Sequence, residues 1–266
     1  MKKFIALLMA TLLIVACFAG CGAKEAKKET IVVGYTIYAP MNYMDKDGET
    51  LIGFDTDLAK AVFEGLGYEV MFQEIDWDSK YTDLNSDTID CVWNGFTCNA
   101  KDDDGIERSK KVDFSYNYME NRQVIVVKKD SGITKAEDLK GKTGAAEAGS
   151  AGETYAKSFD GIIYKGCPKQ TDCLNEVNAM TANFAVLDAQ LAKSYCGKGN
   201  YADLQIIDGL SSDVEYYAIG FKKGSELTAK VNEQLVKLAE NGTIKKLAEK
   251  YGVLNTTILD YSDQVK

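Results

Sequence analysis

Two stretches of this chain set small and polar residues directly after a short apolar run, the place where loops of an α/β sheet meet a small molecule. The first reads Asn94-Gly95-Phe96-Thr97 after Ile89 to Trp93; the second reads Glu147-Ala148-Gly149-Ser150-Ala151 after Thr143 to Ala146. Charged residues accompany both. The run Asp102-Asp103-Asp104 and Arg108 follow the first, and Asp188 stands after the apolar run Phe184 to Leu187. Taken alone, Arg108 reads as a solvated group, the acidic run as a solvated loop, and Asp188 as the cap of a helix beginning at Ala189. The histidine count is 0, which removes Ser/His/Asp and Cys/His catalysis and the commonest metal ligand. Beyond Cys17 and Cys21, the cysteines are Cys91, Cys98, Cys167, Cys173 and Cys196, with no Cys-x-x-Cys pair, so no metal site is expected. Cys167 and Cys173 flank a turn containing Pro168 and read either as a disulfide or as separate thiols. Asp45-Lys46-Asp47-Gly48 has the look of half a calcium loop, but without the other half it reads as a hairpin turn.

The elements that must position these residues alternate. Thr30 to Tyr35 is a β-branched strand, and Asp55-Thr56-Asp57 is expected to cap a helix whose Leu58, Ala61, Val62 and Leu66 share a face before Gly67 ends it. Glu69 to Phe72 and Ile89 to Trp93 read as strands around a short helix at Lys80 to Leu84. The rhythm restarts after Asn121 with a strand Val124 to Val127, a strand near Thr143 to Ala146, a helix from Ala151, a strand Ile162 to Tyr164 and a helix Thr171 to Met180. The strand Phe184 to Leu187, a helix from Ala189, a strand Tyr216 to Phe221 and two closing helices, Glu226 to Glu240 and Thr243 to Tyr251, complete the pass. Such alternation implies parallel sheets covered by helices on both faces.

At the N-terminus, Lys2 and Lys3 precede an apolar run from Phe4 to Phe18 and then Ala19-Gly20-Cys21. The run, ~15 residues, suits an export signal and falls short of the ~20 that span a bilayer. Small residues meeting a cysteine resemble the lipobox of bacterial lipoproteins, which implies cleavage before Cys21 and a lipid on it; Ile14-Val15-Ala16-Cys17 offers a second fit. Residues 1–20 are then a signal peptide and 21–29 a lipidated tether too poor in apolar residues to pack. The net charge of -9 with no basic cluster argues against nucleic acid and against holding anionic lipid by charge.

With Ile89-Asp90-Cys91-Val92-Trp93, Asn94-Gly95-Phe96-Thr97, Glu107-Arg108 and Val112-Asp113-Phe114-Ser115 in order, the chain resembles the extracellular solute-binding proteins of amino-acid ATP-binding-cassette importers, family 3. Further matches are Val33-Gly34-Tyr35, Tyr38-Ala39-Pro40, Gly53-Phe54-Asp55-Thr56-Asp57-Leu58-Ala59, Asp138-Leu139-Lys140-Gly141-Lys142, Ala148-Gly149-Ser150 and Asn241-Gly242-Thr243, so the likeness covers residues 31 to 252.

The resemblance implies an α/β, two-lobed, periplasmic-binding-protein-like (type 2) fold. Each lobe is a mostly parallel sheet flanked by helices, and a two-crossing hinge joins them. Residues 30–120 and 218–266 would form lobe 1, and 121–217 lobe 2. It further implies an amino-acid guest whose carboxylate meets the fork of Arg108 and the amides of Ser150 and Ala151 at a strand-to-helix turn. Its ammonium meets Asp188, because neither charge can be desolvated unpaired. Tyr38 matches the family's stacking aromatic, with Phe96 or Trp93 as a second wall; Asn94, Gly95 and Thr97 match positions that bond the ligand backbone. Glu147 matches a position that touches the ligand side chain, where a carboxylate favours a donor and hence a polar amino acid. The insertion Lys101 to Gly105 lengthens the loop before Arg108 and bears on where that arginine lies.

The function so implied is that of a monomeric, lipid-anchored, extracytoplasmic binding protein that delivers its amino acid to a membrane permease, with no cofactor and no catalysis. Relatives of the fold include cyclohexadienyl dehydratases, for which Glu147 is the evident candidate acid. An amino-acid-sensing lipoprotein is a third reading; the sensing ectodomain of a receptor is less favoured because no spanning segment follows before Lys266.

Overall fold

A computed structural model describes residues 29–265; the expected signal peptide, Cys17 and Cys21 lie outside the described residues. Two five-stranded sheets form two lobes. The first is ordered Glu69–Glu74, Thr30–Tyr35, Cys91–Val92, Gly220–Phe221, Asp113–Phe114, and the second Ile163–Cys167, Thr143–Glu147, Phe184–Asp188, Gln123–Lys128, Leu204–Ser211. In each, four strands point one way and one is reversed: Gly220–Phe221 runs antiparallel to both its neighbours, as does Gln123–Lys128. The sheets are therefore mostly parallel, and the reversed strand in each directly follows a passage of the chain from the other lobe. Those two passages lie side by side, Met119–Asn121 pairing antiparallel with Glu215–Tyr217.

The strands that carry site residues are buried on both faces and read as nearly continuous apolar runs, as central strands between helical layers do. Phe184–Asp188 is buried throughout, and of Gln123–Lys128 only Lys128 is partly open. The helix Phe54–Gly65 buries Leu58, Ala59, Val62 and Phe63 against the helix Leu227–Glu240, whose stripe is Val231, Leu235 and Leu238. Each of these leucine, valine and phenylalanine side chains contributes roughly 1.5–3 kcal/mol by leaving water. In the other lobe, Ile125, Val127, Leu139, Ala146, Phe184 and Val186 pack on one face of the sheet, and Val124, Val126, Ala145, Ala185 and Leu187 on the other.

Several local expectations are corrected. The helix expected to be capped by Asp55 starts at Phe54 after Gly53 with no side-chain cap, because Asp55 turns inward and is wholly buried. The expected strand Tyr216 to Phe221 is split into Glu215–Tyr217 and Gly220–Phe221, which belong to different sheets. The strand Leu204–Ser211, interrupted in sequence by Asp208 and Gly209, carries no clean alternation. Asp45 to Gly48 does close a hairpin between Tyr43–Met44 and Leu51–Ile52, with the Asp47 carboxylate accepting the amides of Glu49 and Thr50 at 2.9 Å. Cys91, Cys98, Cys167, Cys173 and Cys196 are free thiols.

Candidate functional site

A small cavity of about 10 Å³ lies between the lobes, lined by Trp77, Asn94, Gly95, Thr97 and Arg108 on one side and Glu147, Ser150, Ala151, Gln170 and Asp188 on the other. That is room for about one water, so the two walls stand almost in contact. A second, more open cavity of about 470 Å³ shares Trp77 and is lined also by Asp76, Asp78 and Pro168.

Arg108 opens the short helix Arg108–Lys111 and is 1% exposed. Its Nε donates to Asp102 Oδ1 at 2.9 Å, Nη1 to the Thr97 carbonyl at 3.2 Å and Nη2 to the Gly149 carbonyl of the opposite lobe at 3.2 Å. The guanidinium lies over the Phe96 ring, 5.3 Å from its centroid. The insertion before Arg108 does not displace it; Asp102 from that insertion is its counter-ion. Lys80, also 1% exposed, adds a second cation from the same lobe, donating to the carbonyls of Trp77 at 3.1 Å and Gly149 at 3.0 Å. Burial, then the charge of Arg108, pulls its pKa down to about 7. Gly149 has to be glycine: its φ is +69°, and a Cβ would stand 2.8 Å from Asp78 Oδ1 across the cleft.

The opposite wall is acidic. Asp188 sits at the N-cap position of the helix Ala189–Tyr195 yet makes no capping bond. Its Oδ1 accepts from Asn121 Nδ2 at 2.8 Å and Gln123 Nε2 at 2.5 Å, and its Oδ2 from Gln170 Nε2 at 2.5 Å. The capping bond that the sequence also allows is not formed. Glu147 ends the strand Thr143–Glu147 and is 3% exposed, and its Oε1 has no hydrogen-bond partner. Burial, then the neighbouring charge of Asp188, raises it to about 8. Glu215, on the interlobe pair of strands, accepts from Gln123 Nε2 at 2.9 Å, Asn121 Nδ2 at 3.2 Å and Thr97 Oγ1 at 3.3 Å. Burial and Asp188 raise it to about 7. Three acids thus face Arg108, already paired with Asp102, and a weakened Lys80, an arrangement that favours a guest carrying positive charge.

Of the residues singled out from sequence, Asn94, Gly95, Thr97, Arg108, Glu147, Ser150, Ala151 and Asp188 meet at this cavity. Some are committed elsewhere. The Asn94 side chain donates to the Thr36 carbonyl at 2.9 Å and to Asn42 Oδ1 at 2.7 Å, and the Gly95 amide donates to Asp55 Oδ2 at 3.0 Å. Ser150 Oγ caps the helix Ala151–Lys157 by accepting from the Glu153 amide at 3.1 Å. Tyr38, Trp93 and Phe96 are not brought to the cavity. Trp93 is wholly buried edge-on to Phe63, with centroids 6.0 Å apart, and Phe96 packs between Trp77 at 5.2 Å and Phe114 at 4.9 Å. The Tyr38 hydroxyl is 2.7 Å from that of Tyr217. The aromatic at the cavity wall is Trp77, which the sequence reading missed, together with Lys80, Gln170 and Glu215.

Residues 31–253 match the family of bacterial extracellular solute-binding proteins, family 3. The chain belongs to this family. It is 34% identical over 260 residues to the arginine-binding extracellular protein ArtP of Bacillus subtilis (strain 168), covering 94% of this chain and 98% of that protein. It is 32% identical to the L-cystine-binding protein TcyA of the same organism, over 86% of this chain and 83% of that one. Among solved structures, an ancestral arginine-binding protein bound to arginine superposes with a TM-score of 0.76 at 35% identity, over 85% of this chain and 99% of that chain. The family members are extracellular, and among the described residues no helix is long and apolar enough to cross a membrane.

Proposed function

We propose that this chain is the substrate-binding lipoprotein of an amino-acid ABC importer, closing its lobes on a free L-amino acid with a hydrogen-bond-donating, cationic side chain and handing it to a membrane permease. The observation that carries the reading is the cavity between the lobes, with Arg108 on one wall and Asp188, Glu147 and Glu215 on or behind the other. Arg108 and the amide of Ala151 at the helix start take the carboxylate, joined by the N-cap Ser150 amide once it leaves the Glu147 carbonyl 3.3 Å away; Asp188 takes the ammonium, and the unpartnered Glu147 Oε1 takes a donor on the side chain. Trp77 supplies the flat apolar wall. Each guest charge then meets an opposite one without water, which favours the closed form.

In this reading lobe 1 comprises residues 30–120 and 218–266, lobe 2 residues 121–217, and the paired strands Met119–Asn121 and Glu215–Tyr217 are the hinge. The protein is a carrier and works as a monomer, tethered through lipid on Cys21; Cys21→Ser is expected to release it into the medium. Incubation with prephenate or arogenate should leave the absorbance unchanged.

A thermal-shift panel of the twenty amino acids with ornithine and cystine tests the reading. A ligand at ~1,000 times its Kd adds ~4 kcal/mol to the folded state, so L-arginine is expected to raise the melting temperature by several degrees. A flat response across the panel sinks the assignment.

A further inference from the structure

Two carboxylates of the acidic loop before Arg108 converge on Lys111, and the third turns to the other lobe. Asp102, with a side chain 13% exposed, accepts from Arg108 Nε at 2.9 Å, Lys111 Nζ at 2.8 Å and the Tyr81 hydroxyl at 2.7 Å. Asp104 accepts from Lys111 Nζ at 2.7 Å and from the Ile106 amide at 2.9 Å, which folds the loop back on its own lobe. Asp103 alone reaches across the cleft. It forms an ion pair with Lys157, and Thr154 Oγ1 lies 3.5 Å away, both on the helix Ala151–Lys157 whose first turn lines the cavity.

We propose that this loop is a closure clasp: Asp102 ties it to the arginine that receives the guest, and Asp103 grips Lys157 so that the closed lobes release the guest slowly. The proposal rests on the amino-acid reading above. Hinge opening separates the two lobes and breaks the Asp103–Lys157 pair, whereas Lys157 keeps its other partner, Glu153 of the same helix at 2.6 Å, in either form. The pair therefore counts only in the closed state, and such an interaction alters the rate of release more than the rate of capture. Both members are roughly half exposed, 41% and 44%, so the effect is modest and sensitive to salt. Asp102 is far less exposed and is held by three donors, so the loop itself should stay in place when the pair is removed.

The test is the dissociation rate of L-arginine, followed by tryptophan fluorescence in stopped flow, for the unaltered protein, Asp103→Asn, Lys157→Gln and the double variant. Each single change is expected to speed release about two- to fivefold at low salt. The double variant should be no faster than either single one, and the differences should shrink markedly by 0.5 M NaCl, where the screening length is ~4–5 Å. A change in fold alone would not shrink with salt. Unchanged release in both single variants, or additive effects in the double, overturns the clasp while leaving the binding function intact. Failure of the unaltered protein to bind L-arginine defeats the functional reading and the clasp together.

Discussion

Asp188 and Glu215 are bridged by the same two amides: Asn121 Nδ2 lies 2.8 Å from one carboxylate and 3.2 Å from the other, and Gln123 Nε2 lies 2.5 and 2.9 Å from them. Two buried acids drawn together in this way resist ionising at once, and Glu147 on the same wall adds a third. The cluster holds protons that a cationic guest must expel, which links binding to pH.

The sign follows from the direction of each shift. Asp188 is raised, Glu215 and the separate buried Asp55 are raised to about 7, and Glu147 to about 8, in every case chiefly by burial. Between their unfolded values near ~4 and these folded values, the folded protein binds more protons than the unfolded chain. Their stabilising contribution is full below ~4 and is lost as pH rises through 7 and 8. Lys80, lowered to about 7 by burial, works the other way: between 7 and ~10.4 the folded state binds fewer protons, so its contribution grows with pH. The acids outnumber it below pH 8. The ligand-free melting temperature is therefore expected to fall from about pH 5.5 to about pH 7.5, while the shift induced by L-arginine grows over the same interval. Melting curves with and without L-arginine check this, and Glu215→Gln should flatten both slopes. A ligand-induced shift larger at pH 5.5 than at pH 7.5 would contradict the linkage.

Asp188→Ala removes the acceptor for three amides and leaves the guest ammonium without its counter-charge. Breaking a buried pair costs about 3–5 kcal/mol, so calorimetry should record a loss of affinity on the order of a hundredfold or more. Affinity within a factor of two of the unaltered protein would remove Asp188 from the site.

Trp77 and Trp93 separate wall from core. Trp77→Ala takes away the flat face at the cavity and should weaken L-arginine binding roughly tenfold, within the range of a stacked aromatic contact. Trp93→Ala empties a fully buried site between Phe63 and Tyr118, and should cost about 3–5 kcal/mol of stability in urea unfolding, with near-normal affinity in the molecules that remain folded. The reverse pattern would restore Trp93 to the site.

These cases also mark what the residues make legible. The helices Phe54–Gly65 and Leu227–Glu240 announce themselves because a one-sided apolar stripe recurs at helical spacing. Gly149, Ser150 and Ala151 do so because a strand running into small residues has few other uses. Trp77 lies among Asp76, Asp78 and Ser79 in a single 3-10 turn with no periodicity to point it inward. Gln170 and Glu215 reach the site through neutral amide and carboxylate contacts made by residues distant in sequence, which no spacing encodes. Trp93 and Phe96 went to the core because the short strand that leads into them, Cys91–Val92, is buried on both faces, so alternation along it does not say which following side chain meets a guest.

The loop that carries Asn94, Gly95 and Thr97 is anchored by Asp55, whose Oδ2 accepts the Gly95 amide at 3.0 Å and the Tyr118 hydroxyl at 2.9 Å, while its Oδ1 has no partner. Gly95 leaves no slack: its φ is +59°, and a Cβ would stand 2.8 Å from Tyr38 Cε1. Asp55→Ala strands two buried donors, each worth roughly 1–3 kcal/mol when left unsatisfied, so the urea midpoint should drop by the equivalent of about 2–4 kcal/mol. Binding of L-arginine should weaken as well, because the Thr97 carbonyl that holds Arg108 Nη1 rides on this loop. Asp55→Asn keeps one carbonyl oxygen for both donors and turns its amide toward the unpartnered side. It is expected to fold with nearly normal stability at pH 6 and to gain over the unaltered protein at pH 8, where the aspartate has ionised in its buried site. Equal losses for Ala and Asn at both pH values would show that Asp55 contributes only bulk, and that the loop is anchored elsewhere.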